Sequence, residues 1–286
     1  MKYAIYPERK EMLDPHYLQR ITEGAEEIAS SLHEYIIRRI VERMMNRIGR
    51  GDEYLFTSAD RWQIEIMQDS GALLEEIIPE IAKRTKLQQK EIKEAMEEAG
   101  IKAVEADDKI YEAAGLSTVP LLESPQLIRL MQRNYEATIG EWRNYTRTTA
   151  DAAQRLFINS CDTAYHKVTS GAVSYTQAVR EAVDEVVSGG VYVNYTDEET
   201  GRVHKDTIET ATARAVRTGV GQATGAISLE RMKEMEWDII LVSAHLGART
   251  GDGGENPGNH MWWQGKFYSR SGRDKRFPPF SVTGYG

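Results

Sequence analysis

Three side chains in the last sixth of the chain have the chemistry to hold a metal: His245, Asp252 and His260. They lie in the runs Ser243-Ala-His-Leu-Gly-Ala-Arg-Thr-Gly-Asp252 and His260-Met-Trp-Trp-Gln-Gly-Lys-Phe-Tyr268. Imidazole and carboxylate are ordinary zinc or iron ligands, and a metal held there would support a metal-dependent hydrolase or nuclease. The spacing matches no helical pair of the H-x-x-x-H kind. The competing reading is structural: the histidines and Arg249 satisfy carbonyls of a glycine-rich loop, while Trp262 and Trp263 anchor that loop to a sheet. The sequence favours this second reading, with no catalytic residue, no metal and no cofactor.

Other reactive patterns are weaker. Cys161 sits among Asn159, Ser160 and Asp162 without a neighbouring base, so it reads as a small helix residue rather than a nucleophile. As the single cysteine it excludes an intramolecular disulfide and every CxxC site, which fits a reducing compartment. The run Gly219-Val-Gly-Gln-Ala-Thr-Gly225 is one residue too long for a dinucleotide fingerprint and follows no strand. No phosphate loop, GxSxG elbow or HExxH occurs. Lys266, Arg270, Arg273, Lys275 and Arg276 alternate with Phe267, Tyr268 and Phe277. Cations contact phosphates and aromatics stack on unpaired bases, so this cluster suits sequence-independent DNA contact or docking on an acidic partner.

The chain that must position these groups has 286 residues, 36 Lys+Arg and 44 Asp+Glu, a formal charge of −8. That composition is soluble and globular, long enough for a real core, and a poor bulk DNA condenser. The charge is uneven: the segment His245–Gly286 holds six basic and three acidic residues, or +3, against −11 for the remainder. No window approaches the roughly 18 consecutive apolar residues of a membrane span, and the first residues lack a signal-peptide pattern. Secretion and membrane insertion are disfavoured.

Periodicity predicts a mainly α fold with long helices and a small C-terminal α+β module, which carries a β-hairpin and one further strand. The expected units are 1–56, a long helix and linker; 57–120, a small helical unit; 121–190, a long and a short helix; and 191–286, the module with its aromatic, glycine-rich, basic tail. Apolar residues at spacings of three and four predict one helix over Tyr17–Ile48. In 57–120 the proline at Pro79, the capping pair Thr85 and Gln88, and a stop at Gly100 predict three short helices. Lys83, Arg84, Lys86, Lys90 and Lys93 are answered there by Glu80, Glu91, Glu94, Glu97 and Glu98, which reads as a solvated face.

Ser124 and Pro125 start a helix predicted to run to Ser170, with a near-heptad seam through Met131, Tyr135, Thr138, Trp142, Tyr145, Thr149, Ala152 or Ala153, Leu156, Thr163 or Ala164, and Val168. Its partner is either the first helix or another chain. Ser174 with Gln177 caps the next helix, stopped by Gly189 and Gly190. VYVNYTDEETGRVH reads as a hairpin turning at Asp197–Gly201. Thr207–Met235 returns to helix, with a kink or split expected near Gly219–Gly225, and Trp237–Ser243 is the best strand.

The runs SAHLGAR (Ser243–Arg249), HMWWQGKFYSRSG (His260–Gly272), FPPF (Phe277–Phe280) and TGYG (Thr283–Gly286) together resemble the C-terminal signature of the phage minor capsid protein 2 family. The stretch EEAGIKAVEADDKIYEAAGL (Glu97–Leu116) and TTADAAQ in the long helix resemble it too. Within the signature the resemblance singles out Ser243, His245, Gly247, Arg249, His260, Trp262, Trp263, Gln264 and Gly265. It implies a low-copy, non-enzymatic virion component of tailed phages and prophages, near the portal vertex and assembled in the host cytoplasm. The implied partners are the portal and major capsid proteins, to which the long helices add self-association and the basic tail nonspecific contact with packaged DNA. A role in head assembly, DNA packaging or ejection goes with that place. Family members are expected to continue past TGYG into a segment rich in glycine, cysteine and histidine; those cysteines are not among these 286 residues.

Overall fold

The computed structural model describes residues 17, 20–51, 58–140, 145–196, 201, 203–242, 248, 250 and 259–280. Helix α1 (Glu23–Ile48) buries Ala25, Leu32, Ile36, Ile40, Met44 and Ile48 of the stripe its three-and-four spacing predicts, with Ala29 buried where Ile28 was expected and Ile28 itself half-buried. Of the expected first turns, only Tyr17 and Arg20 to Thr22 lie among the described residues.

Helix α2 overturns the expectation of three short helices. It runs unbroken over Ala59–Ala113, 55 residues, with Pro79 inside it. At 1.5 Å per residue that is about 80 Å. An interior proline costs about 3 kcal/mol through its missing N–H and ring clash. Here Pro79 is exposed, so water can reach the carbonyl it leaves unbonded, while Leu73, Ile77 and Ile81 on the opposite face are fully buried. Burying each such side chain is worth about 1.5–3 kcal/mol, so packing outweighs the local penalty.

The supposed cap at Thr85 and Gln88 is a mid-helix pair turned into the core. Thr85 Oγ1 donates back to the Ile81 carbonyl at 2.8 Å, and Gln88 Nε2 donates across to Ala25 O at 3.4 Å. Gly100 is no stop either. A Cβ there would lie 2.9 Å from Ile227 Cδ1, so this glycine lets another helix approach.

A short 3-10 turn at Leu121–Glu123 leads into α3 (Pro125–Gly140), whose start is capped by Ser124 Oγ accepting from Leu127 N–H. Helix α4 covers Tyr145–Thr169. Residues 141–144, including Trp142 of the expected seam, lie outside the described residues. The seam residues Tyr145, Thr149, Ala152, Ala153, Ala164 and Val168 are buried within this chain, where α4 packs mainly on α2 and on α5 (Tyr175–Gly189). The α5 start is capped as predicted, Ser174 Oγ accepting from Gln177 N–H. Its end is Gly190 at φ 72°, a conformation natural to glycine.

Strands β1 (Tyr192–Thr196) and β2 (Val203–Thr207) form the predicted antiparallel hairpin. Helix α6 (Ile208–Glu234) continues straight through the glycines where a kink was expected. Gly219 explains why small residues are there: a Cβ would come within 2.5 Å of Thr138 Oγ1 and Cγ2 on α3. Close packing is what the chain uses at Gly219, whereas a Cβ at Gly221 or Gly225 would meet nothing within 4 Å.

The main apolar cluster draws on α1, α2, α4, α5 and α6, and a smaller one joins Val104, Leu121, Leu127 and Ile227. Beyond α6, strand β3 (Ile239–Leu241) is shorter than the predicted Trp237–Ser243. It pairs antiparallel with β4 (Phe267–Ser269), and the four-residue turn α7 (His260–Trp263) precedes β4. No described helix is long and apolar enough to cross a membrane.

Candidate functional site

The module formed by β3, α7 and β4 is built by the residues that made its sequence distinctive. Asn259 Oδ1 accepts from Trp262 N–H and starts α7; Gly265, at φ 68°, then turns the chain so that its N–H reaches Val242 O at 2.9 Å. Trp263 is buried against Tyr268, whose ring also meets Phe280 edge-on, each at 5.8 Å between centroids. Phe267 and Phe277 pack at 5.7 Å. The FPPF segment lies along β4, with Ser269 N–H donating to Pro278 O at 2.9 Å. Trp262 differs from the expectation that both tryptophans anchor the loop: it is 40% exposed, and Lys266 Nζ sits 3.8 Å above its ring.

Asp238 ties the strand pair together. Its carboxylate accepts from Ser269 Oγ at 2.6 Å and from Ser271 N–H at 2.8 Å. Burial would raise its pKa, but these bonds and the nearby Arg270 guanidinium hold it down at about 2. The group is thus ionised throughout the neutral range and serves as a fixed acceptor.

The basic cluster is partly consumed by the fold. Arg276 forms a paired contact with Asp274, at 2.6 Å from Nη2, and Arg270 Nε donates to Trp237 O at 3.2 Å. Arg273 bonds Ser271 Oγ and Lys275 bonds Gly272 O, yet both side chains remain exposed, as does Lys266. Three of the five predicted cations are therefore accessible and not matched by a carboxylate among the described residues.

Of the metal candidates, His260 is half-buried on α7, while His245 and Asp252 lie outside the described residues, with Ser243, Gly247 and Arg249 of the signature. Among the described residues no three His, Cys, Asp or Glu side chains gather as a metal site. Cys161 is fully buried, and burial pushes its thiol well above the ordinary range, so its reactive thiolate form is disfavoured.

Sequence reasoning missed the charged centre where α2, α6 and the module meet. Arg231 is 1% exposed; its Nε and Nη2 each donate to the Asp108 carboxylate at 2.7 Å, Nη1 to Glu234 at 2.9 Å, and Nη2 also to Val119 O at 2.7 Å. Tyr111, one turn beyond Asp108, meets the Trp237 ring edge-on at 5.7 Å. Asp107 lies alongside with Oδ2 buried and unbonded. A signal did exist: Asp107, Asp108 and Tyr111 all fall within the family-like stretch Glu97–Leu116.

Burial, against a hydrogen bond from Ser228, raises the Asp107 carboxyl to about 6. The folded state then holds a proton more tightly than the unfolded chain between about pH 4 and 6, so this group's contribution falls as pH rises through that window. Asp107→Asn is expected to raise stability at pH 7.5 by up to about 3 kcal/mol and to leave it little changed below pH 4. Urea melts at the two pH values check this. An equal effect at both would assign the gain to something other than ionisation.

The sequence model of the phage minor capsid protein 2 family matches residues 13–280. No curated protein and no solved structure matches the chain. The matched span takes in α1 through β4, both the Arg231 centre and the aromatic module.

Proposed function

Because the chain belongs to the phage minor capsid protein 2 family, a family of virion components, we propose that it is a low-copy structural protein joining the phage head around the portal vertex. The helical body serves as the strut and the aromatic module as the docking knob that meets the portal or the major capsid protein. In this reading it supports head assembly and DNA packaging, and the module binds rather than catalyses. The observation that carries the proposal is the way the module is built and seated. Its signature aromatics other than Trp262, together with Asp238, are spent on internal packing and bonding, and the Tyr111–Trp237 contact abuts it to the body beside a buried ion pair.

Purified virions test this. Lysine-directed cross-linking with mass spectrometry is expected to find the chain at few copies per head, with Lys266 and Lys275 joined to portal or major capsid peptides. Virions lacking the chain, or cross-links confined to tail proteins, would end the proposal.

The exposed Lys266, Arg273 and Lys275 beside the exposed Trp262 favour DNA contact as a second activity of the same knob. Each neutralised phosphate contributes a slope of about −0.9 to log K against log salt on duplex DNA. With three exposed cations that no carboxylate matches among the described residues, a slope no steeper than about −3 is expected from binding titrations at several salt concentrations. A slope near −5 would mean that Arg270 and Arg276 leave their present partners, contrary to the arrangement described.

A further inference from the structure

The near-heptad seam of α4 is consumed inside the chain, but α2 carries a second apolar stripe facing outward. Ile64, Met67, Gly71, Leu74 and Ile78 follow one another at spacings of three and four. Ile64 is 61% exposed, Met67 55% and Ile78 41%; Leu74 is half-buried at the edge of the core, and nothing lies within 4 Å of where a Gly71 Cβ would be. Half-buried Ala82 extends the stripe by one turn. This is the spacing that a second helix covers in a two-helix seam.

We propose that the stripe pairs with the same stripe of a second copy, antiparallel, about a two-fold axis between Ala72 and Leu73. The match is in shape and in charge. In that register Gly71 receives Leu74 of the second copy, a hole facing a knob, and Met67 meets Ile78, while Ile64 falls level with position 81, one residue from the half-buried Ala82. At each end Asp60 comes beside Lys86 of the other copy. Both are exposed, and neither has an ion-pair partner among the described residues. Parallel pairing would instead set Gly71 on Gly71 and Asp60 on Asp60.

The seam from Ile64 to Ala82 is about 27 Å long at 1.5 Å per residue. With a helix roughly 10 Å wide it covers about 270 Å² of each copy, well under the roughly 800 Å² per partner of a standard stable complex. The pairing is therefore weak in dilute solution and formed where copies are held close, as around a symmetric vertex. The crowding rests on the proposed place at the vertex, but the seam itself is independent of which head component the module meets.

Cysteine trapping in the full chain tests it. Met67→Cys and Ile78→Cys replace exposed side chains, and the native Cys161 is fully buried and does not compete. Within one helix the two new thiols are about 16 Å apart, too far for the roughly 7 Å Cα separation limit of a disulfide, so a bond between them joins two copies. Under a mild copper oxidant the double variant, and an equal mixture of the two single variants, are expected to give covalent dimer while neither single variant alone does. Lys86→Asp is expected to lower the yield several-fold, and adding Asp60→Lys to restore it. No dimer from the double variant, or as much from Met67→Cys alone, would overturn the antiparallel seam. Circular dichroism of each variant confirms that the fold is intact.

Discussion

Replacing Arg231 by methionine is expected to destabilise the protein by about 3–5 kcal/mol, because it strands the Asp108 carboxylate without its partner in a dry centre. The guanidinium satisfies three elements at once: Asp108 on α2, Glu234 on its own helix, and the Val119 carbonyl in the connection between α2 and α3. The Asp108 hydrogen bonds raise the Arg231 pKa further, so no accessible pH removes the charge. A domain's whole stability is about 5–15 kcal/mol, so the loss is a large share of it.

Urea titration gives the loss, and the double variant Arg231→Met with Asp108→Leu identifies its cause. Removing both charges is expected to recover most of the loss, since a buried ion pair itself contributes little over an apolar pair of similar size. A cost below about 1 kcal/mol for Arg231→Met, or no recovery in the double variant, would show that the stranded charge is not what matters.

Trp62→Ala is the second large effect, expected at about 3–5 kcal/mol for the volume lost from the core. Trp62 is completely buried where three helices converge. Its ring stacks on Tyr165 of α4 at 4.5 Å and 14°, the Arg47 guanidinium of α1 lies 4.7 Å from the ring centroid, and its indole N–H donates to Asp162 at 2.6 Å. Trp62→Phe separates these contributions. Phenylalanine keeps an aromatic face for Tyr165 and Arg47 but leaves Asp162 without its donor, a loss of about 1–3 kcal/mol. If Trp62→Phe proves as damaging as Trp62→Ala in the same urea titration, the polar bond rather than packing dominates this corner.

Both residues stood in plain view in the sequence, and neither revealed its role there. Trp62 read as one apolar position of a short second helix. Arg231 is only one position of the expected helix Thr207–Met235, and Asp108, which it pairs with, lies 123 positions away. The outward stripe on α2 was hidden by the same misreading: with a break assumed at Pro79 and a cap at Thr85, no seam from Ile64 to Ala82 could be traced.

Local chemistry alone determined a good deal. The three-and-four spacing of α1, the Ser124–Pro125 and Ser174 starts, the hairpin of β1 and β2, and the aromatic module all depend on backbone preferences and neighbours a few residues away, and those are written in order along the chain. Only tertiary structure decided that α2 continues through Pro79, that α4 spends its seam on α2 and α5, and that Arg231 meets Asp108. It also decided which cations remain free. In each of these a long-range burial or pairing energy exceeds a local preference of a few kcal/mol, and that comparison is settled only when distant segments touch.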